Sequence, residues 1–430
     1  MHKRNIFHFL CLSPAQAFSP PLARQREAAQ HPMSPGNDTS CLTSYTSRYD
    51  MVRGRSQVPM LTSDGRGRAW GQPAIPALNS TAGEQWEFDG VSADGAQAFI
   101  FGVYRDPNYA FLGTGNLRAY VELAPGDGPR YAVVDYAEEA AVTTCPGGGG
   151  TRGVWRGPGF AYTFYVAEDM SRARWTMESA EANATVEMRS LSRPRYPDNT
   201  MWSRDGAPGD LAVVPHFYWA EPIPAAEVRV QVTMRDRRYS WVGVGGHERL
   251  WGAFNWRTCL RSLKIVRFQA GPYSLSLWEF GSSRAPDTTF SSVAMFEDGE
   301  KIFGVAGTSR GDPAAEVEEV EEENGNRIVL RKLYGGEGIT TENLKDKVTG
   351  VELRLVQPSR QLEWVFTVTF KKVGFEYVLT EGRGGTGYAG IVSGGPVEGQ
   401  DAQMEVGPAF VEIMRFPDGD WWLLPDNYIE

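Results

Sequence analysis

The sequence predicts an all-β protein: two consecutive antiparallel β-barrel or β-sandwich domains behind a disordered N-terminal tail. Three observations carry that prediction. Short apolar runs with period-two alternation recur along most of the chain, separated by turn residues. The 430 residues include 48 glycines and 27 prolines, which interrupt the sequence too often for long helices. No heptad pattern and no strand–helix alternation competes with this texture. One hydrophobic core is too few for this length, so domains are expected at 81–210 and 211–430, with residues 1–80 as leader and tail.

Residues 1–80 are polar, rich in Ser, Pro, Arg and Gly, and lack a sustained period. From Gln85 the texture changes: residues 85–92 enter as a strand and Ala93-Asp94-Gly95 turns it. Residues 97–104 (QAFIFGVY) form a buried strand. In 117–123 (LRAYVEL), Leu117, Ala119, Val121 and Leu123 fall on one face, and Arg118, Tyr120 and Glu122 on the other. Strands at 130–136, 153–155, 160–166, 174–178 and 184–190 follow, with a glycine loop at 147–150. The turn-rich segment 193–210 is the expected interdomain crossing.

The second half opens with a strand at 213–219 and a turn at Glu221-Pro222-Ile223-Pro224, then alternates at Val228, Val230 and Val232. Further strands are expected at 290–296, 301–306, 328–333, 350–356, 362–371, 375–379 and 410–416. The glutamate-rich run 314–324 fits a solvated loop or a short exposed helix. Residues 239–280 stand apart. They hold four of the thirteen tryptophans and set His247-Glu248-Arg249 behind two glycines. This stretch is the expected entry hairpin of the second domain, turning sharply at Gly271-Pro272-Tyr273.

Several function classes are excluded. A formal charge of −10 argues against a nucleic-acid groove or an anionic membrane surface. No run of about 18 apolar residues is present, so no stable membrane insertion is expected. Gly307-Thr308-Ser309-Arg310-Gly311 matches GxSxG, but no histidine follows His247, so it is a strand-end turn rather than a nucleophile elbow. Gly385-Thr386-Gly387-Tyr388-Ala389-Gly390 matches GxGxxG without the helix a dinucleotide site needs, so a flexible hairpin is expected. The histidines at 2, 8, 31, 216 and 247 form no HxH or HxxxH pair. Neither a metal nor a cofactor is expected.

His2-Lys3-Arg4, the apolar run 6–12 and Ala15-Gln16-Ala17 fit a secretory signal. A disordered leader, or a start at Met33 or Met51, fits as well. Sequons at Asn37, Asn79 and Asn183 suit a secreted glycoprotein. Localisation stays open between the secretory route and the cytoplasm. Of Cys11, Cys41, Cys145 and Cys259, the last two are the expected disulfide pair.

Trp86-x-Phe88-Asp89-Gly90-Val91-Ser92-x-Asp94-Gly95 resembles the W-x-F-D-A-V-S-x-D-G opening of lipocalin-like proteins related to hydroxyneurosporene synthase. That group includes the fungal Diels-Alderases of secondary metabolism. The resemblance continues through Gly153-Val154-Trp155, Trp219-x2-Pro222-x-Pro224, Gly245-Gly246-His247-Glu248-Arg249-Leu250-Trp251-Gly252 and Gly271-Pro272-Tyr273-Ser274 with Trp278. It spans about residues 80–430. Glu248 stands where the family has Asp, and Leu250 where it has Asn. Residues 257–267 are less aromatic than the family's strand there.

The resemblance implies two lipocalin-like β domains with a substrate pocket between or within them. It also implies a cofactor-independent [4+2] cycloaddition on a polyketide-derived polyene or enone by a monomeric enzyme. Such a closure needs no nucleophile, only a folded substrate and a hydrogen bond to a carbonyl. His247, Glu248 and Arg118 are the candidate catalytic groups. Trp86, Asp89, Tyr104, Tyr120, Glu122, Trp155, Tyr162, Trp219, Trp251, Tyr273 and Trp278 are the candidate substrate-binding set. On the residues alone, His247 to Arg249 fit a pocket rim or a structural ion pair. The Arg118 face fits a barrel lumen or solvent, and the tryptophans fit core or pocket wall. Three rivals remain: an intermolecular hetero-Diels-Alderase on an enone or quinone methide; a terpenoid hydratase or dehydratase relying on an acid such as Glu248 or Asp89; and a non-catalytic carrier.

Overall fold

The computed structural model describes residues 41–416 apart from 53–56, 64–69, 108–112, 235, 254–258, 286, 311–316, 323, 336–338, 340–347, 379–383 and 398–402. Its strands fall into two sheets in chain order. The first holds β1 (Leu42–Ser47), β2 (Ala82–Ser92), β3 (Ala98–Arg105), β4 (Leu117–Ala124), β5 (Tyr131–Tyr136), β6 (Glu139–Cys145), β7 (Gly150–Gly157), β8 (Phe160–Val166), β9 (Arg172–Ser179), β10 (Ala182–Ser190), β11 (Ala212–Val214), β12 (Phe217–Met234) and β13 (Arg237–Ala253). The second holds β14 (Leu260–Ala270), β15 (Tyr273–Ser282), β16 (Thr288–Glu297), β17 (Glu300–Arg310), β18 (Val317–Glu321), β19 (Arg327–Tyr334), β20 (Val348–Gln357), β21 (Leu362–Val378), β22 (Gly384–Pro396) and β23 (Glu405–Arg415).

The all-β expectation holds, with two curled sheets. The order is β1-β6-β7-β8-β9-β10-β12-β13-β2-β3-β4-β5 in the first, with β11 on β12. In the second it is β17-β16-β15-β14-β23-β22-β21-β20-β19-β18. Strand alternation sorts side chains into three cores. Trp86, Phe88, Phe101, Val121, Trp155 and Trp175 fill the first sheet's interior. Val266, Phe268, Leu275, Phe366 and Val411 fill the second's. The third core is a seam between the sheets. Ile100, Tyr104, Tyr120, Val244 and Trp219 meet Leu263, Ile265, Trp278, Phe280, Phe375 and Phe410 there.

Several expectations need correction. The first sheet runs to Ala253, past the expected boundary at 210, because β12 and β13 pair with β10 and β2. The stretch 239–280 is therefore divided, β13 closing the first sheet while the β14–β15 hairpin opens the second; the turn at Gly271 has φ +54°. Residues 193–210 link strands of one sheet. Glu221 to Pro224 lie within β12 and form a bulge, the register with β13 shifting between Ala220 and Ala226. Residues 385–390 lie in β22 and pair with β23. Val317–Glu321 is a strand within the glutamate run, paired with β19. Strands expected at 362–371 and 375–379 are one bulged strand, β21, as far as Val378; Leu379 lies outside the described residues.

The tail is ordered earlier than expected, since β1 pairs with β6 and Trp70, Ile75 and Leu78 are buried in the first core. The disulfide joins Cys41 to Cys145, not Cys145 to Cys259. Pairing of Leu42 with Thr144 brings Cys41 beside the end of β6, whereas the Cys259 thiol is buried and donates to the Ala253 carbonyl at 3.4 Å.

Candidate active site

Alternation decides which residues reach the seam. On β2, Trp86 and Phe88 point into the first core, while Glu87, Asp89 and Val91 face the second sheet. On β13, Arg249 and Trp251 point inward and Glu248 points outward. The bulge in β12 keeps Trp219 and Glu221 on the seam and returns Ile223 to the first core. From the other side β14 supplies Arg267, β15 Ser276 and Trp278, β21 Tyr377, and β23 Glu412.

Arg267 is the hub. Its Nε donates to the Pro224 carbonyl at 2.8 Å, and its Nη1 pairs with Asp89. Nη2 reaches Glu221 at 3.0 Å and Glu248 at 3.2 Å. Gly246 is glycine where a Cβ would strike this guanidinium. Arg195, from the segment between β10 and β11, donates through Nε to Glu221 at 2.5 Å and through Nη1 to Asn199 and Ser292, both at 2.6 Å. Glu221 also accepts from Ser276 Oγ at 2.5 Å and Trp278 Nε1 at 3.0 Å. All of these side chains are buried.

Two guanidinium groups thus share the seam with five buried carboxyls: Glu87, Asp89, Glu221, Glu248 and Glu412. Burial penalises charge, so the surplus carboxyls hold protons. Burial pushes Glu221 up, but Arg195 and Arg267 outweigh it and hold the group below the usual carboxylate range. Burial raises Asp89 despite Arg267. Glu248 and Glu412 are raised well above the ordinary range by burial, then by Asp89 and Glu87 respectively. Burial and Asp89 raise Glu87 to about 8. Glu248 shares a side-chain hydrogen bond with Glu87, and Glu412 Oε2 has no hydrogen-bond partner among the described residues. At neutral pH the raised acids of the seam are expected to be neutral, each with one O–H donor.

A second polar group continues toward solvent. Tyr104 donates to Glu87 at 3.3 Å, Tyr120 donates to Glu122, and the Tyr120 and Tyr377 rings lie 5.0 Å apart. Burial raises Glu122 to about 7, against its bond from Tyr120. Arg130 bridges Glu122 at 3.4 Å and Glu376 at 3.3 Å. Arg118 covers the Tyr104 ring at 4.2 Å and pairs with Asp106 at 3.4 Å.

Of the residues predicted for the site, the seam brings together Glu248, Asp89, Tyr104, Tyr120, Glu122, Trp219 and Trp278, with Arg118 at its edge. The Arg118 face is thus neither lumen nor solvent; it packs against the second sheet. Trp86, Trp155, Trp251 and Tyr162 belong to the first core, and Tyr273 to the second. Their polar ends are satisfied there: Trp86 donates to Gly71, Trp155 to Tyr104, Trp251 to Leu61 and Tyr162 to Asp135. His247 is not at a rim. It stacks on Phe88 at 4.0 Å inside the first core, with Nδ1 2.7 Å from the Glu87 carbonyl. Burial lowers its pKa to about 3, so the ring is neutral and Nδ1 donates. The sequence reading missed Arg267, Glu221, Arg195, Glu87, Glu412 and Tyr377. A lone charge inside an otherwise apolar strand, as in Ile265-Val266-Arg267-Phe268 or Phe410-Val411-Glu412-Ile413, is the signal that could have found Arg267 and Glu412.

The raised acids fix a pH dependence. A carboxyl raised on folding stabilises the fold fully below its unfolded pKa of 4.5, and that stability is lost as pH rises through the folded value. His247, lowered from 6.5, acts in the opposite sense but only below about 6.5. Between about 6.5 and 8 the raised acids act, with Glu122 near 7, Glu87 near 8, and Glu318 of β18, buried beside Glu279 and Lys264, also near 8. The unfolding midpoint is expected to fall across that window. The slope should shrink in Glu87→Gln; an unchanged slope would place the titrating groups elsewhere.

Two curled β sheets packed across a buried, aromatic, acid-bearing seam define the class of protein to which the chain is similar. The chain belongs to the Diels-Alderase-like family, whose model matches residues 38–417. It is 41% identical to the Diels-Alderase ffsF of Aspergillus flavipes over 383 residues, covering 89% of this chain and 88% of the relative. It is also 41% identical to the Diels-Alderase cheD of Chaetomium globosum, covering 92% and 88%. Its fold matches the crystal structure of CghA with Sch210972 at a TM-score of 0.71 and 22% identity, covering 88% of this chain and 100% of that one. The chain is an enzyme of cycloaddition in fungal secondary metabolism.

Proposed function

We propose that the enzyme closes an intramolecular [4+2] ring on a polyketide-derived polyene held in the seam, with Glu248 as the principal hydrogen-bond donor to the dienophile carbonyl. The observation that carries this reading is the fully buried Glu248 carboxyl, which faces the seam beside Glu87 and Arg267. One of its oxygens accepts from Arg267, and burial keeps the group protonated. A neutral acid in a dry site stabilises the charge that builds on a carbonyl oxygen as the ring closes. Glu412 supplies a second neutral acid from the opposite sheet.

Trp219, Trp278, Phe217 and Phe280 form the apolar wall. Rigid aromatic faces select the folded conformer of a flexible chain, so binding removes the entropy the closure would otherwise lose. Two carbon–carbon bonds form and two π bonds are consumed. No proton, electron or leaving group enters or departs, so the seam needs no nucleophile.

Deleting the gene in its producer is expected to accumulate an uncyclised isomer of the same mass, which the purified protein then cyclises. A product shifted by the mass of water would point to hydration instead, and unchanged metabolites would remove the proposal.

A further inference from the structure

The disulfide and the surface of the first sheet carry information that the seam does not. Cys41 and Cys145 are bonded, and together they tie the edge strand β1 to the end of β6. Such bonds persist in oxidising compartments and are reduced in the cytosol. Asn183 is the independent observation. It begins the sequon Asn183-Ala184-Thr185 just after the β9–β10 turn, and its side chain is exposed on the outer face of the first sheet. Ala184 is buried in the first core, so the backbone there is fixed while the carboxamide faces water. The sequon at Asn79 differs. Its side-chain oxygen accepts from the Thr81 and Ala82 backbone amides at 3.0 and 2.7 Å, shaping the entry to β2. Asn183 pairs in register with Glu178 and Thr233, and its exposed side chain faces away from the buried Ala184, so a glycan there points off the first core.

We propose that Asn183 carries an N-linked glycan and that the chain folds with Cys41–Cys145 oxidised, in the secretory pathway. In the first step the Asn183 side-chain nitrogen forms a C–N bond to the oligosaccharide of a polyprenyl diphosphate donor. The diphosphate leaves, and the amide loses one proton. In the second, the two thiols give up two protons and two electrons to an oxidant protein's disulfide, which is reduced to a dithiol. The basic start and the Ala15-Gln16-Ala17 pattern agree with this route. The reading is independent of which substrate the seam takes.

The test is peptide mapping of the full chain isolated from its fungal producer, alkylated without reduction. One arm looks for the Cys41 peptide linked to the Cys145 peptide. The other uses glycosidase release in heavy-oxygen water, which converts a glycosylated Asn183 to labelled Asp. Linked cysteines with a labelled Asn183 are expected, and Asn183→Gln and Thr185→Ala should each remove one glycan's mass from the secreted protein. Alkylated, unlinked Cys41 and Cys145, or an unmodified Asn183 peptide, overturns the proposal.

Discussion

Replacing Glu248 by leucine is expected to lower kcat about 10²–10³-fold, the usual loss when one preorganised donor to a developing oxyanion is removed. KM should change little, because the bond strengthens only as charge builds on the carbonyl. Glu248→Gln keeps the volume and one weaker donor, so its kcat should fall between leucine and wild type. The fold should survive both changes. Arg267 keeps its contacts to Asp89, Glu221 and the Pro224 carbonyl. Full turnover by a folded Glu248→Leu protein would move the donor role to Glu412 or Tyr104. Single-turnover rates with the accumulated isomer, beside near-ultraviolet circular dichroism, make the measurement.

Arg267→Met should have the largest effect on stability. Removing one partner of a buried ion pair costs about 3–5 kcal/mol, since the other charge is left without compensation. Here the loss strands Asp89 and leaves Glu221 with Arg195 as its one ion-pair partner among the described residues, beside its bonds from Ser276 and Trp278. Urea unfolding should show the unfolding free energy fall by that amount, with an earlier midpoint. Arg229→Met, on the exposed outer face of β12, serves as control and should stay within about 0.5 kcal/mol. Equal midpoints for the two variants would mean that the seam network is not what joins the sheets.

The fold was legible because alternation is a local signal. The two faces of 117–123 were assigned from sequence as the structure has them: Leu117, Ala119, Val121 and Leu123 in the first core, Tyr120 opposite. What alternation could not give was the neighbour. It says that Arg118, Tyr120 and Glu122 share a face, not that Tyr377 and Glu376 pack against it from a strand some 250 residues away. The same limit hid the hub, because Asp89 and Arg267 are 178 residues apart. His247 failed for a different reason. Successive residues on a strand point to opposite faces, so His247 and Glu248 could not both look into one pocket. The disulfide was misread because β1 is a lone six-residue strand in a polar segment, with no neighbouring strand in sequence to announce it.

The seam has one more consequence. Glu87 and Glu248 come from the first sheet, Glu412 and Arg267 from the second, and each carboxyl owes its proton to burial that both sheets create. Apart, the halves would show water a set of ordinary, ionised carboxylates. When they dock, the protein must draw hydrogen ions from the buffer, and the acid proposed as the donor to the substrate forms at that moment. Assembly of the two sheets and protonation of the seam are thus one event, and folding of the chain is expected to take up protons from the buffer.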